Sequence, residues 1–375
     1  MIYLNNAATS YPKPSCVPEA VCQALFAPPR EGRRGTLDAG SAEADCRVLL
    51  ARVLGVKDPE RIFFTSGATE SFNLILRGLD PAGKTSVVTA YEHNALLRPL
   101  WALAGGERVR VACPDRKGII APETISELAK DAAFVFVNHC SNVTGAVQGL
   151  PALSAAAHAS GALLIADVSQ SAGLMPLDLD ESGADIAVFT GHKALFGPAG
   201  TGGFFLRKGV SLPAAKWGGT GTGGKAVLSG EPEQFEVGTQ NLSGLAGLAM
   251  GASFVLEIGL AEIARTVREK TASLRGALGG MAGVRVYGAP SGGAAVAFNI
   301  RGLSPADVGY ILLHEYDIVV RTGYHCAPLA ADAIGAPEGT VRASLSCLTM
   351  QEDLERFLQA VSEIAAGAAE AARCT

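Results

Sequence analysis

A carboxylate and a lysine follow two successive apolar runs, each near the point where a strand should end. Asp167 comes directly after residues 163–166, and Lys193 comes shortly after residues 186–191. Aspartate and lysine are rarely buried unless they are paired or functional. The pair suits a pyridoxal phosphate (PLP) site, in which a lysine forms a Schiff base with the cofactor and an aspartate keeps the pyridine nitrogen protonated. The alternative is two surface residues just beyond strand ends.

Polar residues also follow other apolar runs. The turn 64–70 has small residues and leads into a helix, so its N–H groups could hold a phosphate, although the Thr69 hydroxyl could equally cap that helix. His93 could stack on a pyridine ring and relay protons, and helix capping is its alternative. The other candidates are hydrogen-bond donors: Asn142 for the cofactor phenolate oxygen or for substrate, Gln170 for the same oxygen, and Thr190 and His192 for phosphate contacts. Asn142 and Gln170, taken singly, also fit ordinary turns.

A second group of candidates lies near the C-terminus. Cys326 is in the polar segment 321–328, which follows a predicted strand, so its thiol is expected on an exposed loop. A reactive cysteine needs exposure and positive neighbours, which Arg321 and His325 could supply, whereas a structural cysteine is the alternative. Arg342 is a lone arginine in an apolar strand. It suits bidentate capture of a substrate carboxylate, with a buried ion pair as the alternative.

Composition excludes several classes of protein. The chain has 375 residues, of which 48% are hydrophobic, and its net charge is -5. The densest basic cluster, residues 30–34, lies in one glycine-rich loop, so we expect no nucleic-acid surface. We also expect no membrane span and no signal peptide. The eight cysteines have no Cys-x-x-Cys spacing. We therefore expect no metal site or disulfide framework, and a reducing, cytoplasmic location.

The order of apolar runs predicts an α/β fold with a mainly parallel sheet, whose ligands bind beyond the carboxyl ends of the strands. Predicted strands span residues 61–66, 86–90, 108–113, 133–139, 163–168, 186–191 and 202–207. Predicted helices span residues 69–79, 94–103, 122–130 and 151–160. Most of the candidate residues above fall at carboxyl ends of these strands.

The remainder of the chain has a different pattern. Residues 208–241 are rich in Gly, Thr and Ser and read as a long functional or mobile loop, and residues 242–281 as a mostly helical connection. Strands are expected near 284–287, 294–300, 318–322 and 341–346, with a closing helix from Gln351. We predict an N-terminal segment, 1–16, that packs with the small domain, a large domain, 17–255, and a small C-terminal α+β domain, 256–375.

Taken in order, these motifs resemble fold-type I PLP enzymes of the class V aminotransferase group. The resemblance is greatest to the cysteine desulfurase and selenocysteine lyase family, in its branch with a short cysteine loop, and it covers nearly the whole chain. The matching segments are 4–9 (LNNAAT), 190–193 (TGHK) with Gly197-Pro198, 235–241 (FEVGTQN), 321–327 (RTGYHCA) and 342–345 (RASL). The chain differs from the family at Ala68, which replaces a common hydroxyl residue, at 92–94, which lacks a doubled histidine, and after Cys326.

The resemblance implies roles for residues of this chain. It implies PLP bound in a large domain with a seven-stranded sheet, and Thr239 reaching the cofactor phosphate of a neighbouring subunit in a homodimer. The implied catalytic residues are Lys193, Cys326 and His93. The implied cofactor contacts are Ala68, Thr69, His93, Asn142, Asp167, Gln170, Thr190, His192, Lys193 and Thr239. The implied substrate contacts are Ala7, Asn142, Arg321 and Arg342.

The resemblance also implies an activity. Lys193 would remove the Cα proton of L-cysteine, and the Cys326 thiolate would take the sulfur, leaving L-alanine and a persulfide for an acceptor protein. A selenocysteine lyase, or a class V aminotransferase or epimerase acting on another amino acid, is the alternative. A third possibility is a catalytically idle scaffold, which would need the loss of Lys193 or Asp167, and both are present.

Overall fold

The computed structural model describes residues 1–27, 42–219, 234–290 and 292–374. The basic cluster at 30–34 and part of the predicted long loop lie outside the described residues. The strands are β1 Ile2–Tyr3, β2 Ile62–Thr65, β3 Thr85–Thr89, β4 Val109–Ala112, β5 Ala132–Asn138, β6 Leu163–Asp167, β7 Ile186–Thr190, β8 Gly202–Leu206, β9 Val284–Tyr287, β10 Ala295–Ile300, β11 Ile318–Val319, β12 Arg321–Gly323 and β13 Thr340–Ser344. The helices are α1 Cys16–Phe26, α2 Ala42–Leu54, α3 Ala68–Leu79, α4 Asn94–Ala104, α5 Pro122–Leu128, α6 Leu150–Ala159, α7 Leu242–Ile258, α8 Leu260–Gly279, α9 Pro305–Tyr316, α10 Pro328–Ala333 and α11 Gln351–Cys374.

The predicted α/β architecture is confirmed. A seven-stranded sheet has the order β2-β8-β7-β6-β5-β3-β4, in which only β8 runs antiparallel to its neighbours. Helices cover both faces, because successive apolar residues of a strand point to opposite sides: Ile165 packs with α3 and α4, whereas Leu164 and Ala166 pack with α2, α6 and α7. Burial on both faces explains why these strands read as continuous apolar runs.

The sheet brings three polar residues to one edge. Asp167 is the last residue of β6 and Thr190 is the last residue of the adjacent, parallel β7. On the other side of β6, Asn138 ends β5 and lies opposite Asp167 in the parallel register. The carboxyl ends of these central strands therefore open onto the same edge, where ligands bind in sheets of this kind.

A smaller antiparallel sheet, of order β12-β13-β10-β9, follows in the C-terminal part. The single strand expected at 318–322 is in fact two strands. The first half, β11, pairs in parallel with β1, and the second half, β12, pairs antiparallel with β13. The strand divides because its two halves have different hydrogen-bonding partners. The N-terminal residues thus join the C-terminal part, while the domain boundaries given above stay predictions.

The helical connection expected at 242–281 consists of α7 and α8, which meet at Gly259 with an angle of 79°. Gly259 has φ +91, a conformation that favours glycine. Among the described helices, none alone is long and apolar enough to cross a membrane, and this bent pair meets that test only by length and composition. Helix α7 packs against α1 and α2.

Candidate active site

A cavity of about 280 Å³ opens at the carboxyl edge of the large sheet. Eleven of the predicted site residues line it: Ala7, Ala68, Thr69, His93, Asn142, Asp167, Gln170, Thr190, His192, Lys193 and Arg321. Asp167 is only 4% exposed. The alternative of two unrelated surface residues therefore does not hold for Asp167 and Lys193, since both line this one cavity.

The Asp167 carboxylate and the Lys193 amine give the cavity its reactive character. Asp167 Oδ1 accepts a hydrogen bond from the Ser169 N–H at 2.9 Å, which fixes the carboxylate at the strand end. Burial lowers the pKa of Lys193 to about 8, although the nearby Asp167 charge opposes this shift. A larger share of the amine is consequently unprotonated near neutral pH than for an ordinary lysine. Such an amine can add to an aldehyde or accept a proton.

The start of α3 presents backbone N–H groups to the cavity. The helix begins after Gly67, which has φ +142, and its first intrahelical hydrogen bond runs from the Ser71 N–H to the Gly67 carbonyl. The N–H groups of Ala68, Thr69 and Glu70 precede that bond and are of the kind that holds a phosphate. Gly67 is the N-cap residue of α3, and no side chain caps the helix. The Thr69 hydroxyl is therefore not a helix cap.

His93 caps a helix and also lines the cavity. Its Nδ1 accepts a hydrogen bond from the Ala95 N–H at 3.0 Å and caps α4, and the same ring lines the cavity. Burial and the nearby Lys193 charge lower the pKa of His93 to about 4. The ring is therefore neutral near pH 7, with Nδ1 already engaged as an acceptor.

Two amide side chains of the cavity wall contact other segments. Gln170 Nε2 donates to the Ala7 carbonyl at 2.8 Å, so this amide holds the N-terminal segment against the cavity. Asn142 Nδ2 donates to the His325 carbonyl at 2.7 Å. Asn142 Oδ1 is buried and has no hydrogen-bond partner in the structure, so it stays available to a bound molecule.

Arg342 is buried behind the cavity wall and is not itself a lining residue. Its Nη1 donates to the Asn142 carbonyl at 2.8 Å and its Nη2 to Asn5 Oδ1 at 2.9 Å, whereas its Nε has no partner. Burial, followed by repulsion from Arg321, lowers the pKa of Arg342 to about 9. No carboxylate pairs with Arg342 in the part of the chain that the structure describes, which removes the ion-pair alternative there. A buried cation without an anion is unfavourable, and a bound carboxylate would supply one.

The predicted cysteine is half-buried, beside the cavity and in contact with a residue that lines it. Arg321 Nη2 donates to Cys326 Sγ at 2.8 Å, and the Cys326 carbonyl accepts from the Asn94 N–H at 2.7 Å. His325 and Cys326 have φ values of 52 and 60, in the left-handed region that few non-glycine residues adopt. The geometry places a thiol in a positive environment, the condition for a reactive cysteine.

Two polar residues of the site escaped the sequence interpretation. Glu92 is fully buried, and its Oε1 accepts from Thr89 Oγ1 at 2.6 Å and from the Asn138 N–H at 2.5 Å. Burial, together with the charge of Asp167, raises the pKa of Glu92 to about 8 in spite of these hydrogen bonds. Asn138 lines the cavity. The signal for Glu92 was a carboxylate two residues after the end of a predicted apolar strand.

Thr239 lies outside the cavity of its own chain. It lines a separate hollow of about 150 Å³, which shares Ser66, Glu70 and Gly200 with the first cavity. The segment before it is held by a buried ion pair in which Glu236 contacts Arg47 at 2.9 Å. The structure thus brings eleven predicted residues to the Lys193 cavity, leaves Arg342 and Cys326 beside it, and places Thr239 apart.

Comparison with known proteins agrees with this geometry. The family described as aminotransferase class-V matches residues 2–357. The chain belongs to this family. Among curated members, a probable cysteine desulfurase from Methanothermobacter thermautotrophicus is 33% identical, over 82% of this chain and 80% of the relative. A probable cysteine desulfurase from Aeropyrum pernix is 32% identical, over 97% of this chain and 94% of the relative.

Solved structures of family members have the same fold. The apo cysteine desulfurase from Thermococcus onnurineus has a TM-score of 0.85 and 31% identity, with 98% of this chain and 95% of that chain covered. An Escherichia coli cysteine desulfurase, in an S-sulfonic acid form, has a TM-score of 0.87 and 25% identity, with 96% and 94% covered. These matches confirm the predicted family and the fold type I architecture of this class V enzyme.

Proposed function

We propose that this chain is a PLP-dependent cysteine desulfurase that converts L-cysteine to L-alanine and transfers the sulfur to Cys326. The observation that supports this most is the contact of Cys326 Sγ with Arg321, at 2.8 Å, because Arg321 lines the cavity that also contains Lys193. An aminotransferase or epimerase has no use for a thiol at that position. The names of the relatives described above support the same activity.

The residues of the cavity fit PLP. The amine of Lys193 suits its aldehyde, the carboxylate of Asp167 suits a protonated pyridine nitrogen, and the first turn of α3 suits its phosphate. Asn142 Oδ1 is a buried acceptor that has no partner in the structure. When bound, PLP supplies an aldehyde for the substrate amine and a ring that accepts the electron pair released at Cα.

Lys193 is the general base of the proposed reaction. Its pKa of about 8 leaves enough unprotonated amine near neutral pH to take a proton from the substrate Cα. Asp167 would hold a proton on the ring nitrogen of bound PLP, and neutral His93 faces the same cavity. Arg342 would take the substrate carboxylate, which compensates its buried charge.

The loop that contains Cys326 receives the substrate sulfur. The Cys326 thiolate forms a bond to the substrate sulfur while the substrate Cβ–S bond breaks and leaves its electron pair with the carbon side. Protonation of Cβ and return of a proton to Cα give alanine, and Cys326 becomes a persulfide. Arg321 stabilises negative charge on the Cys326 sulfur before this attack. Because Cys326 is half-buried and its neighbour Tyr324 is 50% exposed, a sulfur-acceptor protein can approach the loop from solvent.

We further propose that the protein is a cytoplasmic homodimer in which each active site contains residues of both subunits. Thr239 supports the sharing, because it lies outside the Lys193 cavity of its own chain. A threonine from the partner subunit would complete the phosphate site. Mixing Thr239→Val chains with Lys193→Ala chains should restore part of the activity, since each mixed dimer regains one native site. A fully active monomer by light scattering would contradict the shared site.

The decisive experiment compares Cys326→Ala with Lys193→Ala. Native protein should release sulfide and alanine from L-cysteine, and borohydride should fix PLP to Lys193. Cys326→Ala should lose sulfide release yet keep the visible PLP absorption, because no cofactor contact uses this thiol. Lys193→Ala should lose the covalent bond to PLP. Cys16→Ala, which changes a partly buried cysteine at the start of helix α1, is the matched control.

The same assay separates the alternatives. L-selenocysteine, and an amino donor with a keto acid, are supplied in parallel with L-cysteine. Selenide release that survives in Cys326→Ala would favour the selenocysteine lyase. Transamination without sulfide release would favour the aminotransferase. Undiminished sulfide release by Cys326→Ala would exclude transfer of sulfur to this residue.

A further inference from the structure

The carbonyl oxygen of His192, in the peptide bond that leads into Lys193, accepts an unusual number of hydrogen bonds. Its donors are Thr9 Oγ1 at 3.0 Å, the Ser10 N–H at 3.0 Å, Ser10 Oγ at 3.2 Å and Lys13 Nζ at 2.9 Å. A carbonyl oxygen has two lone pairs. Four donors on one such oxygen concentrate positive charge on the peptide that positions Lys193.

Lys13 is the charged member of this group. Its amine also donates to Ser10 Oγ at 2.8 Å, so it contacts both the carbonyl and another of its donors. Burial lowers the pKa of Lys13 to about 8. No carboxylate pairs with Lys13 among the residues that the structure describes, so the His192 carbonyl and the Ser10 hydroxyl are the acceptors it has there. A partly buried ammonium group held by a carbonyl is a specific arrangement, not a solvated surface lysine.

The segment that ends in Lys13 is fixed at its other end to the C-terminal part of the chain. The Ala7 N–H donates to Ser344 Oγ at 2.9 Å, and Asn5 Oδ1 accepts from Arg342 Nη2. Strand β1 continues this attachment by pairing with β11. Residues 5–13 therefore connect the proposed carboxylate-binding arginine to the peptide that positions Lys193.

We infer that Lys13 is a positioning residue, which holds the Lys193 peptide against residues 5–13 through the His192 carbonyl. The inference rests on the PLP part of the proposed function. Lys13 touches neither the substrate nor the reacting atoms. Its effect is to restrict the backbone from which the Lys193 side chain extends, and so to keep the amine in place when it bonds to PLP and when it moves a proton.

Lys13→Met tests this, because methionine keeps a similar length without the charge or the donor. In the PLP-loaded protein, we expect amide hydrogen exchange in the peptide 190–197 to rise about tenfold, together with the rate of PLP release. The pH at which the visible absorption band changes should shift, while kcat falls and KM stays within about twofold. Lys13→Arg should restore most of these values, since it keeps a charged donor.

Lys57→Met is the matched control, because Lys57 is an exposed lysine paired with Glu181. It should leave hydrogen exchange and PLP release unchanged. A folded Lys13→Met protein with native exchange, PLP release and absorption would overturn the inference. If Lys13→Met does not fold, Lys13→Ala removes the same amine, and native exchange, PLP release and absorption in that variant would overturn the inference equally.

The outcome can be separated from that of the proposed function. Hydrogen exchange, measured on the PLP-loaded protein without substrate, needs no turnover. Altered exchange in a protein that releases no sulfide would leave the positioning role intact and remove the desulfurase. Normal desulfuration together with unaltered exchange in Lys13→Met would leave the desulfurase intact and remove the positioning role.

Discussion

The cofactor side and the sulfur side of the site are built in different ways. Asp167 and Thr190 hold their positions because they end adjacent strands inside a seven-stranded sheet. Cys326 lies on a loop with left-handed backbone, held by side chains and backbone groups from other elements, such as Asn142. Regular backbone pairing thus fixes one half, and a few long-range contacts fix the other. The two halves should therefore respond separately to mutation.

The strongest test of the sheet half is Asp167→Asn. The amide keeps the size of the side chain but removes the charge that holds a proton on the cofactor ring. We expect turnover to fall by about 10²–10³-fold, as for loss of an electrostatic stabiliser. Alkylation of Cys326 should stay normal, because the loop does not depend on this charge. Asp131→Asn, at an exposed pair with Arg110, is the control.

A slower Cys326 alkylation in Asp167→Asn would contradict the separation of the two halves. Near-native turnover would show instead that the charge of Asp167 is not needed for the reaction. Steady-state sulfide release and thiol alkylation, measured on the same preparation, distinguish these outcomes.

Arg342→Lys tests the connection between the halves, because Arg342 contacts both Asn142 and the N-terminal segment. Lysine keeps the charge but cannot reproduce two hydrogen bonds that come from separate nitrogens of a planar guanidinium group. We expect KM for L-cysteine to rise about tenfold, with a smaller fall in kcat. Arg301→Lys changes an exposed arginine and should leave both constants unchanged. An unaltered KM in Arg342→Lys would argue against binding of the substrate carboxylate here.

Arg321→Ala tests the contact between the sulfur half and the cavity. Loss of the donor at 2.8 Å from Cys326 Sγ removes stabilisation of negative charge on the sulfur. We expect alkylation of Cys326 at pH 7 to slow several-fold, with the visible PLP band retained. Arg285→Ala, in β9, is the control. Unchanged alkylation would show that Arg321 contributes to the site only through its contact with the cavity.

Glu92→Gln tests whether the sheet half depends on a protonated neighbour of Asp167. The pKa of Glu92 is raised from 4.5 to about 8, so the native state keeps a proton that the unfolded chain releases near its ordinary value. As pH rises through this window, Glu92 therefore lowers the stability of the native state progressively. Glutamine cannot ionise. The melting temperature of the variant, relative to that of the native protein, should therefore rise as the pH increases from about 5 to about 8.

Glu60→Gln, which changes an exposed glutamate, should show a constant difference over the same range. A constant difference for Glu92→Gln as well would mean that Glu92 is ionised in the folded protein. Thermal denaturation at a series of pH values measures both variants.

The contrast between the halves also explains what the sequence could predict. The ends of the large-sheet strands can be predicted from the sequence. An apolar run that stops at Asp167 or Thr190 indicates both where the strand ends and which polar residue lies there. The division of 318–322 into two strands was not readable, because it depends on pairing with β1, far away in sequence. The burial of Arg342 with no carboxylate beside it in the described part of the chain, and the contact of Lys13 with His192, likewise depend on how distant segments meet.

Gly323→Ala is the mildest test, and it addresses the backbone of the cysteine loop. Gly323 has φ +94, and a Cβ atom there would meet no atom within 4 Å, so the expected loss reflects conformation alone. We expect a loss of about 1–2 kcal/mol in the free energy of unfolding, because a side chain disfavours this backbone region. Gly276→Ala is the matched control: it also has no atom within 4 Å of the added Cβ but lies in helix α8, where alanine should add about 0.5–1 kcal/mol. Denaturant unfolding measures both. If Gly323→Ala were as stable as Gly276→Ala, the backbone of this loop would be free to relax, and the position of Cys326 would depend on its side-chain contacts alone.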